Sequence, residues 1–116
     1  MHRFRSDILG ADRGSKLLFS DFEGEGEMWV GDGPRERISP ISFTQPFRKK
    51  PLVYVSLEMW DTDQATNQRV DLSACNVTEE GFDIIFHTWG DTRIARARAS
   101  WLAIGELEEK DSWNVD

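Results

Sequence analysis

Arg69 and Trp89 are the two residues whose chemistry and positions best suit the binding of a small ligand. Arg69 stands at the opening of one predicted strand and Trp89 closes another, each on the face opposite its strand's apolar residues. If these strands are antiparallel neighbours, the two side chains meet at one rim. A guanidinium donates to hydroxyl oxygens and an indole packs on the C–H face of a sugar ring, so the pair suits a saccharide. Two plainer interpretations stay open: Trp89 packs against its neighbours, or Arg69 pairs only with Asp71.

The sequence lacks the residues of the common catalytic and metal sites. It contains no nucleophile elbow, Walker loop, HExxH or CxxC motif. His2 and His87 are too few for most metal sites, and the single Cys75 excludes an intrachain disulfide. Acidic pairs such as Asp61 and Asp63 lie in predicted turns, where carboxylates accept from local amides or face water. We therefore expect no metal, no cofactor and no enzymatic activity.

The overall charge argues against nucleic acid as a partner. The 116 residues include 14 Lys and Arg against 21 Asp and Glu, for a net charge of -7, whereas nucleic-acid-binding domains are usually basic. No apolar run approaches the ~20 residues that a membrane span needs, and the N-terminal stretch has no apolar signal segment. We expect a protein made in the cytoplasm without a recognisable signal peptide, and then released or attached to a particle.

Alternating apolar and polar residues predict strands along most of the chain. Four segments carry the alternation, at residues 51–60, 68–77, 81–89 and 94–104. A fifth, at 37–43, contains Pro40, which suits an edge strand. The less regular N-terminal third predicts short strands at 16–22 and 27–30. Strands that recur every dozen or so residues predict an all-β antiparallel sandwich or barrel.

The length fits one domain. We expect residues 1–15 to form a flexible N-terminal segment, 16–105 the folded domain, and 106–116 a loosely held acidic tail. Several large apolar residues fall on faces opposite the predicted core: Leu52, Tyr54, Ile85, Leu102 and Ile104. Either the second sheet swaps its faces or, as we favour, a subunit interface covers these residues.

Residues 35–104 resemble the H-type lectin family, typified by the snail agglutinins and the C-terminal domain of discoidins. The matching elements occur in order, beginning with the frame F-x-x-P-[FY]-x-x-x-P from Phe43 to Pro51. The pattern D-x-x-Q-x-x-N-Q-R-V from Asp61 to Val70 follows, and then NVTEEGF, TWGDT and SWLAIG. The resemblance implies a six-stranded antiparallel β-sandwich that forms a homotrimer. It also implies metal-free sites at protomer boundaries for galactose and N-acetylgalactosamine.

Carried over by position, the resemblance places the family's sugar-binding arginine on Arg69 and its tryptophan on Trp89. An aspartate that the neighbouring protomer supplies falls on Asp32. The histidine that commonly follows the tryptophan is Gly90 here, and the aromatic residue six positions after the tryptophan is Ala95. Part of the apolar platform is therefore absent.

Asp91, next to Gly90, is an acceptor that would compensate for the smaller platform. Two functions follow from this pattern. The first is a galactose-type lectin that acts in cell-surface adhesion or recognition. The alternative is a structural or assembly subunit, for example of a phage-like particle, that keeps the scaffold without the sugar site.

The stretch RARASW, close to the C-terminal end of the matched region, carries Arg96 and Arg98 on one face of a predicted strand. Two like charges at that spacing need carboxylates, water or an anion beside them. We expect both arginines to stabilise the subunit interface by pairing with acidic residues there, and not to bind ligand. The alanines on the opposite face allow another sheet or protomer to approach closely.

Overall fold

The computed structural model describes residues 1–109 and contains two three-stranded antiparallel sheets. A short 3-10 turn at Ser6–Ile8 leads into the strands β1 (Leu9–Ser20), β2 (Arg35–Ser42), β3 (Leu52–Thr62), β4 (Val70–Cys75), β5 (Gly81–Thr88) and β6 (Ile94–Glu106), and the helix α1 (Glu27–Val30) lies between β1 and β2. Sheet A has the order β1-β6-β3 and sheet B the order β2-β5-β4. The predicted six-stranded antiparallel sandwich is confirmed.

The core lies between the sheets and follows the predicted alternation. Phe82, Ile84 and Phe86 of β5 are buried, and so are the alanines and the tryptophan that alternate along β6. Because β6 is the central strand of sheet A, its small alanines leave room for the aromatic rings of sheet B. Phe82 meets Trp101 edge to face with ring centroids 5.6 Å apart. Burial of each large side chain contributes about 1.5–3 kcal/mol to stability.

β1 begins earlier than the sequence suggested. Residues 9–15, which we expected in a flexible segment, pair with β6 from Leu9 onwards. The stretch shows no apolar alternation because glycines occupy part of its inner face. A Cβ on Gly14 would lie 2.8 Å from Nε1 of Trp101, so the ring of the neighbouring strand fills the space of a side chain.

The predicted strand at 27–30 is wrong, because this segment is the single helical turn α1. The buried carboxylate of Asp21 holds the turn: its Oδ2 accepts the backbone N–H of Met28 at 3.0 Å and Nη2 of Arg37 at 2.9 Å. Four residues are too few to show a helical period, and the partner that stabilises them lies seven positions upstream.

The edge and face assignments agree with the prediction. β2, which contains Pro40, is an edge strand of sheet B. The inner faces are those the alternation indicated, so the alternative in which the second sheet swaps its faces is excluded. On the outer face of sheet A, Tyr54 is 71% exposed beside the exposed Leu52 and Leu102. Ile85 lies on the outer face of sheet B.

The predicted acidic tail at 106–116 begins inside β6, since Glu106 is the last residue of that strand. Residues 110–116 lie outside the described part of the chain. Within residues 1–109, no helix has the length and apolar composition needed to cross a membrane.

Candidate functional site

Arg69 and Trp89 lie side by side at one rim of sheet B. β4 and β5 are antiparallel neighbours in which Val70 pairs with Thr88, so the residue before β4 and the residue after β5 are adjacent. Trp89 is 39% exposed, and the Arg69 side chain is exposed to a similar degree. The structure thus produces the juxtaposition that strand order predicted, with both side chains open to solvent.

Two buried threonines fix the backbone around Arg69. The hydroxyl of Thr88 donates to the carbonyl oxygen of Arg69 at 2.5 Å. Oγ1 of Thr92 accepts the N–H of Arg69 at 3.0 Å and donates to the carbonyl oxygen of Asn67 at 2.6 Å. Because a hydroxyl both donates and accepts, these two side chains satisfy backbone groups on either side of the arginine. The root of the Arg69 side chain is therefore held in place before any ligand arrives.

Asp91 completes a polar cluster at this rim. Its carboxylate accepts from the backbone N–H of Asn67 at 3.3 Å and from Nδ2 of Asn67 at 3.2 Å, and Oδ1 lies 3.5 Å from Nη1 of Arg69. The backbone N–H of Asn67 lowers the pKa of the Asp91 carboxyl below its ordinary value, and the Asn67 side chain and the Arg69 charge act in the same direction. Asp91 is thus an ionised acceptor that orients the guanidinium.

Asn67 is a site residue whose role sequence reasoning missed. It belonged to the motif that carried the family resemblance, but nothing in the spacing indicated that its amide would reach across to Asp91. The available signal was its position in a loop just before β4, where asparagine side chains commonly bond to nearby groups.

The indole of Trp89 has a histidine on one side. The His87 ring stacks against it with centroids 5.4 Å apart and an interplanar angle of 24°. Because side chains two apart on a strand share a face, His87 and Trp89 form a continuous flat surface on the outside of sheet B. The interpretation of Trp89 as a plain packing residue accounts for this contact, but not for the solvent-exposed part of the ring.

Gly90 and the loop of Asp32 meet at the turn after β5. Gly90 has a φ of +70°, a conformation that glycine adopts at little cost. Its carbonyl oxygen accepts the N–H of Gly33 at 2.8 Å and Nη2 of the buried Arg35 at 3.3 Å. The exposed Asp32, adjacent to Gly33, is therefore brought to the rim within a single chain. Its contribution across a protomer boundary stays a prediction.

The remaining position singled out by the resemblance, Ala95, is not on the exposed rim surface. It is buried near the start of β6, where it lines a separate cavity beside Phe22 and Trp29. The missing aromatic residue therefore leaves space near β6.

The two arginines of β6 find carboxylates within the chain. Nε of Arg96 lies 3.2 Å from Oδ2 of Asp61, and Nε of Arg98 lies 3.0 Å from Oε1 of Glu58. Both partners belong to β3, the neighbouring strand of sheet A, and not to a second protomer. The expected pairing with acidic residues is present, but an interface is not required to explain it.

The rim offers hydrogen-bond donors, an ionised acceptor and an aromatic plate on a rigid sheet edge. Among residues 1–109, no group of three or more His, Cys, Asp or Glu side chains is arranged to hold a metal ion. Such a surface suits the recognition of a neutral, hydroxyl-rich ligand by direct contact.

Comparisons with known proteins identify the family and the fold of this chain. The model of the H-type lectin domain matches residues 38–104. The chain is 51% identical over 108 residues to "ATP synthase subunits region ORF 7" of Fuscovulum blasticum, covering 93% of this chain and 94% of that one. It is 35% identical over 75 residues to a discoidin-1 polypeptide of Dictyostelium discoideum, covering 64% of this chain but only 30% of the relative.

A solved structure of discoidin II from Dictyostelium discoideum has the same fold. The TM-score is 0.76 at 18% identity, with 93% of this chain and 40% of the discoidin chain covered. The chain thus corresponds to less than half of either discoidin. The family model spans more than half of the chain, with the rim residues Arg69, Trp89, Gly90 and Asp91 inside the match. The chain therefore belongs to the H-type lectin domain family.

Proposed function

We propose that this chain is a non-catalytic carbohydrate-binding module that recognises galactose or N-acetylgalactosamine at the rim formed by Arg69, Trp89, Gly90 and Asp91, with Asp32 at its border. The observation that carries the proposal is the position of Arg69 next to Trp89 on neighbouring strands, with its guanidinium facing Asp91, at an exposed edge. Membership in a lectin family supports the same class of ligand.

The chemistry of the rim fits a galactose-type ring. Such a sugar has one apolar C–H face, which packs on an aromatic plate, and hydroxyls along its edge that need donors and acceptors. The free part of the Trp89 indole supplies the plate. Arg69, oriented by Asp91, supplies donors at its edge.

We also propose that the protein works as a homotrimer. The apolar part of the outer face of sheet A, around Leu52, Tyr54 and Leu102, is a surface that a second copy would cover. Single saccharide sites of this kind are weak, and three copies on one particle would raise the working affinity through avidity. A released or particle-attached trimer of this form suits cell-surface recognition or adhesion.

Calorimetric titration with galactose and N-acetylgalactosamine tests the sugar site. We expect millimolar binding by the wild type and a loss of roughly tenfold or more in Arg69→Ala, because charged donors contribute most to such contacts. Arg48→Ala, at an exposed position away from the rim, is the matched control and should bind normally. Absence of binding at millimolar sugar, or equal binding by both variants, would refute the proposal.

A second candidate function is a structural or assembly subunit without sugar binding. The observation that favours it is that the Asp91 carboxylate already accepts from Asn67 and faces Arg69, so the polar groups partly satisfy one another. Gly90 also leaves a smaller apolar platform at the rim than a larger side chain would. Iodide quenching in the native assembly, compared between the wild type and Trp89→Phe to isolate the Trp89 signal, would separate the two functions, since an occluded rim indicates assembly and an accessible rim indicates recognition.

A further inference from the structure

A cavity separate from the Trp89 rim opens between the end of β1, the end of β3 and the start of β6. Its volume is about 570 Å³, within the range of small-molecule sites. It is lined by Phe22, Trp29, Asp61, Arg96 and a floor that includes Ala95. We refer to it as the Trp29 cavity.

One wall of the Trp29 cavity is aromatic and rigidly backed. Phe22 and Trp29 meet edge to face with ring centroids 5.0 Å apart. Behind them, Nε of Arg93 donates to the Trp29 carbonyl oxygen at 2.8 Å, and its Cζ lies 4.5 Å from the indole centroid. Arg93 is itself held by Asp63 at 3.7 Å. Phe22 is nevertheless 55% exposed, so the loop presents a large apolar ring that the fold does not bury.

The lining of the Trp29 cavity also includes a polar pair that can form further hydrogen bonds. Asp61 and Arg96 form one ion pair through Oδ2 and Nε, and both side chains are more than half exposed. In the described part of the chain, the terminal guanidinium nitrogens of Arg96 and Oδ1 of Asp61 form no further hydrogen bond with protein. A hydrogen-bond acceptor and donors thus lie side by side in the same lining as the two aromatic rings.

The charge of the lining restricts the class of ligand. Asp61 and Arg96 neutralise each other, and Glu23 adds a negative charge, so the lining disfavours an anion. Adjacent donors and an acceptor in a lining that also contains aromatic rings match a neutral polyol with one apolar face. The volume accommodates a ring of that size, and the small Ala95 side chain keeps the floor open.

We infer that the Trp29 cavity is a second site for a neutral saccharide, with Phe22 and Trp29 as the stacking wall and Asp61 and Arg96 as the hydrogen-bonding wall. The lining has no residue in common with Arg69, Trp89, Gly90 or Asp91. The second site therefore does not depend on the first, and an experiment can refute either proposal without refuting the other. This assigns Arg96 to ligand contact, in contrast to the interface role that the sequence suggested.

Saturation-transfer NMR in an Arg69→Ala background tests this inference, because that substitution removes the proposed rim site. The probes are galactose, N-acetylgalactosamine, glucose and mannose, each at roughly 50 mM, above the millimolar dissociation constants usual for weak single sites. We expect at least one probe to retain saturation transfer. Adding Phe22→Ala or Arg96→Gln should weaken that binding roughly tenfold, through loss of stacking or of charged donors.

Arg98→Gln is the matched control for Arg96→Gln. Arg98 lies on the same face of β6 and forms an equivalent pair with Glu58, but it does not line the cavity. Val30→Ala, another exposed apolar residue near the loop, is the control for Phe22→Ala. Thermal unfolding of each variant verifies that the fold is intact.

Three results would overturn the inference. The first is that no probe binds the Arg69→Ala protein. The second is that the cavity variants bind like their controls. The third is a crystal structure in which a neighbouring protomer fills the Trp29 cavity. By contrast, equal binding of the probes by wild type and Arg69→Ala, with loss in Arg96→Gln, would refute the rim site and retain the cavity.

Discussion

At the scale of single residues, the rim is organised by contacts that precede any ligand. Thr88 and Thr92 fix the backbone on both sides of Arg69, and Asp91 faces its guanidinium. A long flexible side chain loses much conformational entropy on binding, and part of that loss is already incurred when the free protein folds. Substitutions here should therefore change affinity more than they change the fold.

Trp89→Ala is expected to weaken galactose binding by roughly tenfold, because it removes the aromatic plate on which the C–H face would pack. Trp60→Ala is the matched control, since Trp60 is likewise exposed and lies in β3, away from the rim. Calorimetry with both variants measures the difference. Equal losses for the two tryptophans would count against a specific role for Trp89.

The protonation of Asp91 provides a second test at this scale. Its pKa is lowered from the ordinary 3.8, so the ionised carboxylate stabilises the turn above that pH, and the contribution disappears as the pH falls through the lowered value. In Asn67→Ala the side-chain donor is lost while the backbone donor remains. The Asp91 pKa should then rise part of the way towards 3.8, as followed by carboxyl carbon chemical shifts. An unchanged pKa would show that the Asn67 amide does not hold the carboxylate.

At the scale of elements, a strand was predictable when its own side chains form its buried face, and an element was missed when side chains of other segments do so. β5 was predicted to within a residue, because its own residues Phe82, Ile84 and Phe86 form its buried face and produce a visible apolar alternation. The first half of β1 was missed because its inner face is filled by side chains of other segments, with Trp101 over Gly14. The turn α1 was missed because Asp21 stabilises it from a distance.

The candidate site likewise contains features that the sequence predicted and features that it did not. Strand order placed Arg69 beside Trp89, since residues flanking two antiparallel neighbours must be adjacent. The Asn67 contact with Asp91 depends on the conformation of two loops, which no periodic pattern encodes. The Trp29 cavity depends on the α1 turn, which was predicted as a short strand in the less regular N-terminal third.

Gly81→Ala tests how tightly β5 pairs with β2. A Cβ at this position would collide with the backbone carbonyl oxygen of Ile41 on the neighbouring strand, which cannot move aside as a side chain would. We expect a loss of about 1–3 kcal/mol in the free energy of unfolding, measured by urea denaturation. Gly24→Ala, where a Cβ meets nothing within 4 Å, is the control. Equal unfolding midpoints would show that β2 shifts without cost.

At the scale of the whole molecule, the outer face of sheet A changes character along its length. Near one end it presents Leu52, Tyr54 and Leu102, and near the other it presents the ion pairs Arg98–Glu58 and Arg96–Asp61. The apolar part is where the proposed trimer would bury area. The charged part is satisfied within the chain and leads to the Trp29 cavity.

Tyr54→Glu should dissociate the proposed trimer, because it would place an unpaired carboxylate in the proposed apolar contact. Since Tyr54 is 71% exposed in the single chain, the fold of each protomer should persist. Sedimentation velocity and circular dichroism measure the two effects. Ile38→Glu is the control, since Ile38 is also well exposed but lies on the outer face of the other sheet, sheet B. Trimers that survive Tyr54→Glu but dissociate with Ile38→Glu would move the interface to the other sheet.

The strand order of sheet A has a consequence for synthesis on the ribosome. β6, the last of the described strands to emerge, is the central partner of both β1 and β3. Sheet B can pair fully once β5 has emerged, whereas β1 and β3 have no hydrogen-bonding partner in sheet A until β6 follows. Nascent chains that stall before Ile94 would therefore expose two unpaired strands, which are prone to aggregation.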